Sequence, residues 1–173
     1  LTGLPNRRLF LARLEQEVKH ARRQKRPLAL MFLDLDGFKE VNDSLGHDAG
    51  DRVLCDVAAR LADCVREDDA IARLGGDEFT VILTNIRQRK DVERLAQTII
   101  DALALPFNIA TSPVKISVSI GITCFPDDAL APVDLLATAD QAMYKAKGAG
   151  ANRLWFYDTA ENPAAADTAS TSS

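Results

Sequence analysis

The sequence predicts an α+β fold, a central mixed or antiparallel sheet with helices packed against it. Three observations carry the prediction. Apolar runs of strand length alternate with longer stretches whose apolar residues recur at helical spacing. Two pairs of strand-like runs are joined by short polar turns and read as hairpins. One run, Leu28 to Leu33, is apolar throughout, as a strand covered on both faces must be. Strands interleaved with helices, plus hairpins, describe an antiparallel portion and a helical layer built around one core.

Along the chain, residues 5–25 place Leu9, Leu11, Leu14 and Val18 at helical spacing, with Asn6 as a cap and Pro27 as a stop. Leu28 to Leu33 then forms the central strand, ending at Asp34. Phe38 to Leu45 reads as a short helix stopped by Gly46, and Asp51 to Val65 as a longer one with Val53, Leu54, Val57, Ala58 and Leu61 on one face. Ala70 to Leu74 and Phe79 to Leu83 form a hairpin across Gly75-Gly76-Asp77-Glu78. Val92 to Leu105 is helical. Val114 to Cys124 alternates as a strand, partnered by a short run at Phe107 to Ile109. Leu135 to Lys147 is the last helix and Leu154 to Tyr157 the last strand.

The chain's 173 residues suit one domain, with 47% hydrophobic and 27% charged residues. No apolar run reaches the roughly 20 residues that span a bilayer, and no signal peptide opens the chain. Residues 1–157 carry 21 basic and 22 acidic groups, which gives no general case for nucleic-acid binding. The basic residues between Arg7 and Arg26 are interrupted by Glu15 and Glu17 and read as a solvated helix face, without membrane contact. Cys55, Cys64 and Cys124 lack metal-ligand spacing and read as buried, reduced cysteines of a cytoplasmic domain. Residues 158–173 are expected to be a disordered tail or the start of an interdomain linker. The start at Leu1 without a Met suggests a domain cut from a longer protein.

Carboxylates at the ends of apolar strands carry the chemistry. Asp34 and Asp36 are two apart and share a strand face, while Leu35 faces the other way. Asp77 and Glu78 sit in a glycine turn between two apolar strands. Carboxylates gathered at such a point repel unless a cation sits among them, and an oxygen-rich pocket of this kind suits Mg²⁺. Turn acids capping the Phe38 helix and a tight Gly-Gly hairpin would account for the same residues. Asn42, Asp43, Gly46, His47, Gly50 and Asp51 form a polar stretch between helices. Their side chains can read a purine edge, and a carboxylate there accepts from guanine while rejecting adenine. Helix capping by Asp51 and a turn at Asn42 are the plainer alternative.

Taken together, these residues resemble the GGDEF family of diguanylate cyclases. The resemblance rests on LTGLPNRR at 1–8, FLDLDGFKEVNDSLGHDAGD at 32–51, RLGGDEF at 73–79, SVSIGIT at 117–123 and ADQAMYKAKGAG at 139–150. It covers residues 1–157, read as the domain proper, and implies the palm-type sheet of nucleotidyl cyclases. It implies condensation of two GTP into cyclic di-GMP and two pyrophosphates, with one GTP on each of two facing domains, hence a homodimer. By the same resemblance Asp34, the Leu35 carbonyl and Asp77 hold two Mg²⁺ (or Mn²⁺) per GTP. Asn42 and Asp51 read guanine, and Phe38, Lys39 and Lys147 meet the phosphates, Lys39 offsetting developing charge. Asp77 or Glu78 assists deprotonation of the 3′-hydroxyl.

Arg66 and Asp69 match an Arg-x-x-Asp product-inhibition site for cyclic di-GMP, although a charged helix end has the same look. The second arginine of that site is not at its expected place, where Gln97 and Thr98 stand. A Gly-Arg-Asn run common in the family is here Gly150-Ala151-Asn152, and Arg153 is expected to point elsewhere. Two further readings stay open: a catalytically weak GTP- or cyclic di-GMP-binding module of a phosphodiesterase-fused protein, and a palm-type transferase for another nucleotide.

Overall fold

The computed structural model describes residues 1–109 and 112–158, and the expected tail at 159–173 lies outside the described residues. The elements are α1 (Arg7–Gln24), β1 (Leu28–Asp36), α2 (Phe38–Leu45), α3 (His47–Cys64), β2 (Ala70–Gly75), β3 (Glu78–Leu83), α4 (Arg89–Ala104), β4 (Phe107–Ile109), β5 (Ser112–Val114), β6 (Ser117–Phe125), α5 (Pro132–Gly148) and β7 (Leu154–Phe156). The main sheet has the order β2-β3-β1-β6-β7. β1 is antiparallel to both β3 and β6, and β7 runs parallel to β6, so the sheet is mixed as predicted.

β1 sits in the middle with both faces covered, which is why its sequence does not alternate. Ala29, Met31, Leu33 and Leu35 face one core, shared with α3 and α4. Leu28, Leu30 and Phe32 face the other, shared with Phe10, Leu14 and Val18 of α1 and Leu135, Ala139 and Met143 of α5. Alternation continues past Phe32, but the second face then receives Asp34 and Asp36 instead of apolar residues. The site thus begins where the α1/α5 core ends. Gly121 of β6 is what lets α5 lie so close to the sheet: a Cβ there would run into the Ala139 carbonyl and the Met143 amide.

Four expectations change. Leu9 is exposed, and Phe10 takes its core position, because the buried stripe of α1 runs Phe10, Leu14, Val18, Ala21. α3 starts at His47 rather than Asp51, so Gly46 alone separates it from α2. The polar, glycine-rich composition there looks like a loop, but Ala49 and Gly50 are small so that the two helices can touch. Val114 to Cys124 is not one strand: Phe107–Ile109 pairs with Ser112–Val114 in a separate two-stranded sheet, and the chain breaks before β6 crosses to the side of β1. Period-2 burial stays in phase across that break, so the pattern alone does not reveal it. Lastly, the three cysteines are only half-buried.

Candidate functional site

At the end of β1, Asp34 lies opposite Glu78 of β3. The β2–β3 turn closes with Gly75 opposite Glu78, which leaves Gly76 and Asp77 as the turn residues. Gly76 has φ 49°, a left-handed conformation that glycine adopts without strain. Arg73 Nε donates to the Gly76 carbonyl at 3.0 Å, and the Leu35 amide donates to the Asp77 carbonyl at 3.2 Å. These bonds fasten the turn to β1 and bring Asp34, Leu35, Asp77 and Glu78 into one corner. Lys147, near the end of α5, places Nζ 3.2 Å from Asp34 Oδ1 and 3.1 Å from Asp36 Oδ1.

The electrostatics follow from that crowding. Burial, and then the Asp77 carboxylate, push the Asp34 carboxyl up to about 6, against the pull of Lys147. Burial also raises Glu78, followed by Asp140 and Asp77, with Arg7 opposing. Asp36 moves the other way: burial works against it, but the Ser117 and Ser119 hydroxyls, the Asn152 amide and Lys147 hold it below the usual range. Burial likewise opposes the Lys147 ammonium, yet its contacts with Asp36 and Asp34 raise it.

Two neighbouring carboxylates, one reluctant to ionise, are what a cation site looks like to its own acids. Among the described residues no three acidic, histidine or cysteine side chains converge to hold a metal by themselves. The chain can offer Asp34, Asp77 and a backbone carbonyl, and the remaining ligands would have to come from elsewhere. That donor set fits Mg²⁺, which binds through one or two carboxylates and completes its shell with water and phosphate oxygens.

A stability test follows without any metal. A raised folded pKa means that Asp34 contributes fully below its ordinary 3.8, and that this contribution is lost as pH rises through about 6. The metal-free protein should therefore lose stability between pH 4 and 7, on the order of 1 kcal/mol once solvent screening is discounted. Asp34→Asn should show a shallower slope, the remainder coming from the raised Glu78 and Asp69 carboxyls, and melt higher than the unsubstituted protein at pH 7. Parallel melting curves across that window would refute the crowded-carboxylate picture.

Beside the acidic corner, Gly37 turns the chain at φ 85° into α2. Phe38 is buried at the start of the helix and Lys39 is exposed on its first turn. Asn42 is half-buried, with its side-chain oxygen against the Cα of Gly50, where any Cβ would overlap it. Asp51, the next residue, is exposed and lines a shallow recess with Arg52, Cys55 and Asn108. α2, which follows β1 directly, carries Lys39 and Asn42, and the contact of Asn42 with Gly50 puts Asp51 one residue from α2.

Arg66 and Asp69 stand apart, at the other end of β2, about 20 Å from the turn by strand rise. They line a cavity of about 530 Å³ with Arg87, Arg94, Thr84 and Thr98. Asp69 Oδ2 accepts from the Arg66 amide at 3.0 Å, so it also builds the loop it sits in. Burial raises its carboxyl. Arg94 is one helical turn before Thr98, whose hydroxyl donates to the Arg94 carbonyl at 2.9 Å. The cavity therefore has a helix arginine after all, displaced by one turn from where the spacing sought it. Helical periodicity around Thr98 was the available signal.

Arg153 folds back on its own turn: Nε donates to the Ala151 carbonyl at 3.0 Å. Asp36, Ser117 and Ser119 acquire a role that the sequence did not assign, as the polar group beneath Lys147.

Comparison with known proteins shows the family of the chain. The family model described as "Diguanylate cyclase, GGDEF domain" matches residues 1–153. The chain is similar to MucR of Pseudomonas aeruginosa, a bifunctional diguanylate cyclase/cyclic di-GMP phosphodiesterase, with 46% identity over 94% of this chain and 24% of that protein. It is also similar to the diguanylate cyclase TpbB of the same organism, with 45% identity over 89% of this chain and 36% of that protein. The chain thus spans about a quarter to a third of these relatives. The crystal structure of the GGDEF domain of TpbB superposes with a TM-score of 0.89 at 42% identity, covering 91% of this chain and 99% of that one.

Proposed function

Since the chain belongs to the GGDEF family of diguanylate cyclase domains, we propose that it condenses two GTP into cyclic di-GMP and two pyrophosphates. The observation that carries this reading is the meeting of Asp34 and Asp77 under Lys147, beside the first turn of α2. Asp34, the Leu35 carbonyl and Asp77 would hold Mg²⁺ or Mn²⁺, two per GTP, which would supply Lewis-acid charge for the α-phosphate and the incoming 3′-hydroxyl.

The chain's own groups do the rest. Lys39 and Lys147 offset charge on the triphosphate, while the free amides at the start of α2 beside Phe38 favour an anion. Asn42 and Asp51 read the guanine. Asp77 or Glu78 receives the hydroxyl proton, and burial raises the Glu78 carboxyl, the direction that favours a general base. One domain presents a single such corner, so the product needs two domains facing each other as a homodimer. We place this chemistry in the cytoplasm; among the described residues no helix is long and apolar enough to cross a membrane. This segment contacts neither nucleic acid nor membrane in that reading, and the parent protein is free to be anchored in a membrane.

Incubation with GTP and Mg²⁺, followed by detection of cyclic di-GMP, tests the proposal. Binding of GTP without product would favour the second reading, a regulatory module beside a phosphodiesterase. That reading draws support from the bifunctional relative and from Ala151, which stands where the family often has Arg. Preference for another nucleotide would favour the transferase reading.

Product inhibition belongs to the cavity at Arg66 and Asp69, where Arg87 and Arg94 add planar forks for phosphate or guanine. Arg66→Ala should weaken cyclic di-GMP binding about tenfold by calorimetry, the cost of one charged hydrogen bond. Unchanged affinity would make Arg66 a solvated helix end.

A further inference from the structure

The carboxylate of Asp36 is saturated. Its oxygens accept from Ser117 Oγ at 2.8 Å, from Ser119 Oγ at 2.9 and 3.1 Å, from the Asn152 amide at 3.1 Å and from Lys147 Nζ at 3.1 Å. A carboxylate offers about four lone-pair directions, so little remains for a metal. The donors come from three places: β6, the end of α5, and the turn that follows it. That turn is unusual, since Gly150, Ala151 and Asn152 all have positive φ, at 125°, 60° and 51°. Alanine adopts this region only when its surroundings hold it there. The Asn152 amide bond to Asp36 is one of the restraints, and the Ala151 amide bond to the Ala146 carbonyl, at 3.0 Å, is another.

We infer that Asp36 is a positioning residue: it holds Lys147 and the turn after α5 beside the acidic corner, so that the lysine can leave Asp34 and meet the phosphates of an arriving nucleotide. This rests on the GTP reading above. With Asp36 in place, Lys147 divides its contacts between two carboxylates at nearly equal distances, 3.2 and 3.1 Å. Without that second anchor the ammonium pairs with Asp34 alone, where it competes with a metal, and the turn loses one restraint.

The test is binding of 3′-deoxy-GTP with Mg²⁺, which lacks the attacking hydroxyl and so cannot react, measured on the intact protein by calorimetry. Asp36→Asn keeps the shape and removes the charge. It should raise the Kd about tenfold, as loss of a charge-assisted anchor implies, and raise the KM for GTP in parallel with kcat within about threefold. In a Lys147→Met background the same change should cost less than about twofold, because its effect passes through the lysine. A merely structural role would lower the melting temperature but leave Kd and KM unmoved. Equal Kd in Asp36→Asn, or additive effects in the double variant, would overturn the inference. Should Asp36→Asn not fold, Ser117→Ala removes one donor to the same carboxylate: a Kd rise of about threefold supports the role and an unchanged Kd overturns it. If the unsubstituted protein binds no nucleotide at all, the GTP reading itself fails, and this inference fails with it.

Discussion

Replacing Asp77 with alanine should lower Mg²⁺-dependent GTP turnover at least about a hundredfold, the usual cost of removing one preorganised electrostatic group from a transition-state site. The fold should survive. What ties the turn to β1 is the Asp77 carbonyl, which accepts from the Leu35 amide at 3.2 Å, and alanine keeps that carbonyl. The Gly76 conformation and the Arg73 bond to its carbonyl are also untouched. Removing the side chain relieves its repulsion with Asp34, so the metal-free variant should melt no lower than the unsubstituted protein. Loss of rate with an unchanged melt separates a metal ligand from a turn residue. A variant keeping most of the original rate would mean that the two-metal assignment is wrong.

Much of this corner was legible in the sequence because strand ends and turns obey local rules. An apolar run that stops at Asp34 marks where core gives way to surface, and Gly75-Gly76 marks a turn whatever its function. The boundaries of α2 matched its sequence pattern, since Gly37 and Gly46 flank it with backbone conformations that suit glycine. What stayed hidden depended on distant pairing. Nothing near Asp36 announces that Ser117, Ser119 and Asn152, some eighty to a hundred and sixteen positions away, will converge on it. The small β4–β5 sheet looks like part of a longer hairpin because burial phase carries across a chain break. Arg94 falls outside a fixed spacing because one helical turn of slack exists there.

The second large effect concerns base choice. Asp51→Ala should weaken GTP binding roughly ten- to a hundredfold, the cost of one to two charged hydrogen bonds, and leave ATP binding as it was. In the sequence alone, the plainer account of Asp51 is helix capping. α3 removes that account, since it starts at His47 with Gly46 at its cap, which places Asp51 inside the helix. There its side chain is exposed, one residue from the contact between Gly50 and Asn42. Alanine is the better helix former at such a position, so the melting temperature should hold or rise slightly. An exposed acid in a helix interior, worth little to stability and adjacent to a half-buried asparagine, is well placed for contact with a ligand edge. Guanine presents two donors to such a carboxylate, whereas adenine presents an acceptor at N1, and the same charge that attracts one base rejects the other. Equal binding of ATP and GTP by the unsubstituted protein would sink this assignment even if Asp51→Ala weakened both, because a residue that reads the base must discriminate between them.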